Sequence, residues 1–558
     1  MIDDSGTYTR QLQSRRDEYL RRIVQQFSAL EPTLAPLDGR LWSLNQARLA
    51  TGQDVDRASE YFAHISLTID RDFMGTRLVK TYFDFASTGR LSQAAVDNLE
   101  STITQWEMND FSRRALWPRR HTENHDAMFL TIGLFVKALR GEPLEAHLDE
   151  LRQYMMWRFE RGFYEWNSHR YQFHTSNALQ LLSAHAPAQD VRKGARALLN
   201  MMFMERAILG INGFLGGPFM RGYDAQRGCD YLDDNRYDAF LPTLWLAFGV
   251  GEPRFDFARR PELSPAGDGF GNGQDPRLNQ DEGMFFATSA LEPDPIIRHL
   301  LREVASSRET VYVGRRATAG YPQEIAPPSD PRTRQCIRYY NTPHVSLGSA
   351  QYVDGVYPIT SLAPSRYWSV LLAQEPSQVL RSGIEGFEPQ RIAQHRNWLV
   401  AEGTLRESGG LRSTPVGPWN LYQAGKGLCA HTQIEGWHVV QVSDLDTYAD
   451  TRAFIDRLAK PEVSDGRLNA VTTEGDSVNV DLETMATRIN GALRPDVPDM
   501  LHDAPLVRSV YGTGVIEVRA GGTSATYDAA QLLDMPHWWR AMSQDERLSH
   551  IETGGPEG

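Results

Sequence analysis

A chain of 558 residues is too long for one compact core, so two large domains are expected. Its composition, 41% hydrophobic and 23% charged, is that of a folded globular protein, with room for disorder only locally. The formal charge of −13 excludes a general nucleic-acid binder, which needs a net basic face, but not an anionic sugar held by a local arginine cluster.

The opening stretch, MIDDSGTYTRQLQSRRDEYL, has no apolar run of the secretory kind, and runs such as LWLAFGVG at 244–251 are far short of a membrane span. No membrane partner and a cytoplasmic location are therefore expected. Residues 8–30 read as a charged helix stopped by Pro32 and Pro36. From about 55 onwards, helical-period segments alternate in character. Segments 56–69, 91–106, 144–163 and 190–209 carry a polar face and read as outer helices. Segments 74–86, 124–139, 171–186 and 236–251 are apolar nearly all round and read as inner ones. The near-regular spacing of the inner starts marks stacked helical hairpins. Strict alternation suggests an (α/α) toroid over 41–308, preceded by an N-terminal helix and connection over 1–40.

Residues 252–283 are rich in Pro, Gly, Asp and Asn and read as a surface crossing. The stretch GDGFGNGQD within it lacks the alternating carboxylates of a calcium loop. One more helix is expected over 293–307. From 309 the pattern changes to short strands rich in β-branched and aromatic residues, which predicts an antiparallel β-sandwich over 309–558. The fold class is thus α+β, multidomain. Cys229, Cys336 and Cys429 form no CxxC, so no disulfide framework or cysteine-built zinc site is expected.

Two polar clusters introduce apolar helices. The first is His121, Glu123, Asn124 and His125; the second is Glu165, Trp166, Asn167, His169, Tyr171 and His174. Asn and Ser are costly inside helices and favoured at their starts, so both clusters read as helix N-termini, with Thr122 and Ser168 as caps. Side by side, the two helices would open both clusters onto one rim. The long glycine-rich insertion 210–235, with Arg221 and Tyr223, is a third candidate contributor, because such loops between packed helices tend to be functional. Each residue also has a plain reading: Glu123 as a partner of the helix dipole, His125 as a satisfied half-buried histidine, Trp166 and Tyr171 as core aromatics rather than a sugar platform. His121 and His125 have metal-ligand spacing, but no third ligand is evident, so no metal and no cofactor are expected. His344 and His395 read as solvated strand residues.

The segments TENHDAMF (122–129), RGFYEWNSHRY (161–171), TPHVSLGSAQY (342–352) and PQRIAQHRNWLV (389–400), with the order helices then strands, resemble polysaccharide lyases of the heparinase/alginate-lyase kind. That resemblance implies β-elimination on a uronate-containing glycan. Its pattern implies Asn124 and His125 at the carboxylate, with His169 or His174 as base. Tyr171 or Tyr223 would be the acid, beside Arg221, with Glu123, Trp166, Asn167 and His174 contacting sugar. The substrate would be an anionic or neutral glycan. A glycoside hydrolase using carboxylates among Glu123, Glu165, Asp224, Asp233 and Asp234, or a non-catalytic glycan binder, are the rival functions.

Overall fold

A computed structural model describes residues 5–34, 39–66, 72–107, 123–163, 165–169, 171–220, 235–253, 282–303, 308–315, 334–351, 364–372, 378–383, 391–495, 499–543 and 546. Helices fill the N-terminal part and antiparallel sheets the C-terminal part, an α+β multidomain arrangement as the periodicity predicts.

The helices are α1 (Ser5–Leu30), α2 (Gly39–Thr51), α3 (Val55–His64), α4 (Phe73–Phe85), α5 (Gln93–Thr104), α6 (Glu123–Arg140), α7 (Glu145–Arg161), α8 (Gln172–His185), α9 (Gln189–Leu209), α10 (Leu241–Phe248), α11 (Met284–Ala287) and α12 (Pro295–Glu303). Contacts run from α2 to α4, to α6, to α8, to α11, and from α11 back to α2. Helices α3 and α5 pack together outside this circuit and bury only the stripes Ala58, Ser59, Phe62 and Ala95, Leu99, Ile103.

Helix α2 is absent from the hydrophobic pattern. GRLWSLNQARLAT has no apolar stripe, yet Leu41 through Leu49 are all buried. Its polar groups are satisfied inside the core: Asn45 Nδ2 donates to Leu41 O at 2.8 Å, and Gln46 Oε1 accepts from Thr81 Oγ1 at 2.8 Å. Arg48 donates to both Glu31 carboxylate oxygens at 2.9 Å. Buried polar groups are tolerable when bonded, and hydropathy alone does not see the bonds. Helix α1 is equally part of this core, through Tyr8, Leu12, Tyr19, Ile23 and Phe27, rather than a separate lead-in.

Helices α7 and α9 depart from their outer reading. Tyr154 through Arg161 and Ala197 through Leu209 are buried on every side. The cover is a ten-stranded sheet whose strands run, edge to edge, Leu405–Glu407, Val379–Ser382, Trp368–Leu372, Val345–Gln351, Arg334–Asn341, Arg308–Arg315, Met500–Ala504, Val507–Val510, Val515–Ala520 and Thr523–Asp528. Strand alternation sends successive residues to opposite faces. Ile337, Tyr339, Ala350, Leu501, Val507, Ile516 and Val518 join the helical core. Tyr340, Val345, Leu347, Val370 and Leu380 share a second core with a six-stranded sheet between residues 392 and 444. A five-stranded sheet, 462–493, packs on the far side of that one. One short helix, Thr451–Ile455, interrupts the strand region and two, Ala529–Leu532 and His537–Ala541, follow its last strand; none has a signature in the pattern. Cys336 and Cys429 are buried thiols.

Candidate functional site

The two polar clusters do come together. Helix α6 starts at Glu123, and α8, which the irregular residues 165–169 precede, lies beside it. Glu165 Oε2 accepts the Asn124 backbone N–H at 2.8 Å, while Glu123 Oε2 accepts the Glu165 N–H at 3.0 Å. This reciprocal exchange resembles a capping box made between two distant segments, and it puts carboxylate charge at a helix start, where the dipole favours it. Arg158 of α7 donates to Glu123 Oε1 at 2.5 Å and lies 5.3 Å from the centre of the Tyr154 ring. Burial pushes the Glu123 carboxyl up to about 7; Arg158 works against that shift and Glu165 adds to it.

These groups are buried. Glu123 is 1% exposed, Asn124 0%, Glu165 1% and Trp166 0%. The expectation that Glu123 and Trp166 contact sugar is thereby corrected. Glu123 is committed to Arg158 and the Glu165 amide, and a ring with no exposed face cannot stack on a pyranose. Asn167 is also enclosed. Its Nδ2 donates to Pro218 O at 3.3 Å and to Tyr339 Oη at 3.0 Å, so both amide hydrogens are spent internally rather than on a glycan. Ser168 caps a turn one step ahead of α8, accepting Tyr171 N–H on its hydroxyl at 3.2 Å.

A half-buried group of side chains, the rim, shares the start of α6 through His125. Asp72, the cap of α4, accepts the Phe73 N–H on Oδ1 at 2.9 Å, and its other oxygen, Oδ2, bonds His125 Nδ1. The His125 ring stacks on Phe129 at 5.6 Å and meets Phe73 edge-on at 5.5 Å. Phe73 is 4.3 Å from His174, whose ring is 6.3 Å from Tyr171. His125, Phe73, His174 and Tyr171 are all half-buried. A carboxylate on Nδ1 selects the tautomer in which Nε2 is the basic nitrogen, the arrangement of an oriented general base.

His169 is buried, 4% exposed, its ring 3.9 Å from Phe219 and Nε2 3.9 Å from Asp238 Oδ2. Asp238 is paired with Arg206, which also donates to Gln172 Oε1 at 2.6 Å. His169 thus belongs to an internal polar network with Asp238 and Arg206. Arg221 and Tyr223, like His121, Thr122, Asp224, Asp233 and Asp234, lie outside the described residues.

No family model, curated protein or solved structure matches this chain. Among the described residues no group of three His, Cys, Asp or Glu side chains is placed to hold a metal ion, and no helix is long and apolar enough to cross a membrane. His344 and His395 are partnered by Asp446 at 2.7 Å and Asp476 at 2.9 Å, so neither is simply solvated. Sequence reasoning missed Asp72, Arg158, Arg206, Asp238 and Tyr339. Only Asp72 carried a signal, as an acidic residue one position before an apolar helical run.

Proposed function

We propose that the chain is a carbohydrate-active enzyme, a lyase that cleaves a uronate-containing poly- or oligosaccharide by β-elimination, built on an (α/α) toroid joined to a β-sandwich. The closed circuit of contacts through α2, α4, α6, α8 and α11 supports the toroid, and the core shared by the ten- and six-stranded sheets supports the sandwich. The observation that carries the chemistry is the Asp72–His125 pair on a half-buried aromatic rim shared with His174 and Tyr171. In this reading His125 takes the proton from the carbon next to the uronate carboxylate. The electron pair forms the new carbon–carbon double bond, and the glycosidic oxygen leaves with a proton from Tyr171 or Tyr223. Arg221 neutralises the carboxylate as it becomes enolate-like.

The hydrolase alternative requires two carboxyl groups facing each other across a cleft, about 5–10 Å apart. Glu123 and Glu165 are instead buried, Glu123 accepting the Glu165 amide and Glu165 the Asn124 amide, which disfavours that pair. The test is incubation with a panel of uronate polymers and oligosaccharides. Elimination gives a product with the ultraviolet absorbance of an unsaturated uronate. New reducing ends without that absorbance would mean hydrolysis, and binding without either would mean a glycan-binding protein; both outcomes overturn the proposal.

A further inference from the structure

One cross-strand row of the ten-stranded sheet faces the helical part. Thr310, Tyr339, Gly348 and Ser369 are register partners in sequence across four strands. Thr310 Oγ1 donates to Ile208 O at 3.1 Å, at the end of α9, and Asn341 Nδ2 donates to Leu209 O at 2.8 Å. Tyr339 Oη accepts from Asn167 at 3.0 Å. Gly348 leaves the gap in which the Gly217 carbonyl lies: a Cβ there would be 1.9 Å from that oxygen and 2.7 Å from the Tyr339 ring. Gly217, at φ +101°, lies so close to Ser369 that a Cβ would be 2.5 Å from its hydroxyl.

Asn167 is the joint of this assembly. It sits at φ +54°, a left-handed conformation that Asn tolerates better than most residues. Its neighbours have no helix or strand to hold them. Residues 165–169 are fixed by Glu165 at one end, by the Ser168 hydroxyl accepting Tyr171 N–H and by His169 O accepting Ala239 N–H at 2.8 Å. Tyr171, which reaches the rim, is four residues beyond Asn167.

We propose that Tyr339 and Gly348, in the strand region, are positioning residues for the rim: through Asn167 and the Gly217–Pro218 carbonyls they set where residues 165–169 and 216–220 lie, and with them Tyr171. The candidate site is then assembled jointly by the helical and strand parts. Burial keeps the Tyr339 phenol protonated, pushing its titration up and out of reach, so the joint is neutral and insensitive to ordinary pH. As a link to turnover this rests on the lyase reading; as a statement about local order it does not.

The test uses the full chain with Tyr339→Phe, which keeps the ring and removes the acceptor, and Gly348→Ala, which displaces the Gly217 carbonyl. Tyr340→Phe is the control, since Tyr340 points to the opposite face and donates to Glu474 at 2.6 Å. Hydrogen–deuterium exchange of peptides 165–174 and 210–220 is expected to quicken in Tyr339→Phe, with melting lowered by no more than about 2–4 °C. Tyr340→Phe should leave both peptides unchanged. On a uronate substrate Tyr339→Phe should lose about ten- to a hundredfold in kcat. Unchanged exchange in Tyr339→Phe, equal effects from Tyr340→Phe, or faster exchange with full turnover would each overturn the proposal. If the natural chain cleaves no uronate glycan, the lyase reading falls and the exchange measurements alone decide whether the joint exists.

Discussion

Replacing Glu123 by glutamine tests both the burial of this carboxyl and the choice of chemistry. The carboxyl is raised from 4.5 to about 7 in the folded chain, chiefly by burial. Between those values the folded state holds a proton that the unfolded state has released, so stability is greatest at the acid end and falls as pH rises through the folded value. At about 1.4 kcal/mol per unit, the shift is worth about 3 kcal/mol, lost over roughly pH 4.5–7. A glutamine cannot ionise and can still accept from Arg158, so Glu123→Gln should flatten this dependence. The assay is denaturant unfolding followed by tryptophan fluorescence at intervals between about pH 5 and pH 8, natural chain against variant. Other titrating groups are common to both proteins and cancel in the difference. Parallel pH profiles would refute the reasoning. Turnover of the variant should change only mildly, because the group lies behind Arg158; a dead enzyme would restore Glu123 as a hydrolase acid.

Asp72→Asn should cost about 10²-fold in kcat by releasing the His125 tautomer, with circular dichroism unchanged; full activity would remove His125 from the base role. Tyr171→Phe should abolish unsaturated product if Tyr171 is the acid, with melting little altered, since one half-buried hydroxyl contributes little stability. If product persists in that variant, Tyr223→Phe must abolish it instead. Trp166→Ala should destabilise by about 3–5 kcal/mol in denaturant titrations, as for a large core aromatic, and a selective rise in KM without loss of stability would return Trp166 to the glycan.

Much of the fold was legible because periodicity reports burial. The apolar segments over 124–139 and 171–186 are helices α6 and α8 to within a residue at each end, and the change after 308 marks the first strand of the ten-stranded sheet. The failures share a cause: burial created by distant parts of the chain. Helix α2 is buried by ion pairs and amides that hydropathy scores as polar, and α7 and α9 are amphipathic in sequence yet covered by strands that begin only at Arg308 and end at Asp528. The same limit governs the site. Glu123 and Asn167 have the residue types of a binding surface, and only their partners, Arg158, Glu165 and Tyr339, reveal that they are structural joints. His125 was identifiable as a candidate, but the Asp72 that orients it lies fifty-three residues earlier.

The order of strands in the ten-stranded sheet has a consequence for how the chain comes into being. Arg308–Arg315 lies between Arg334–Asn341 and Met500–Ala504, so the middle of the sheet joins residues almost two hundred apart. During synthesis, the apolar surfaces of α7 and α9 are complete long before Leu501, Val507, Ile516 and Val518 emerge to cover them. The helical part therefore waits, with a greasy flank open to solvent and to other nascent chains, until the C-terminal strands leave the ribosome. Cutting the gene at residue 308 would make that waiting state permanent, and the fragment would be recovered as aggregate rather than as a free-standing domain.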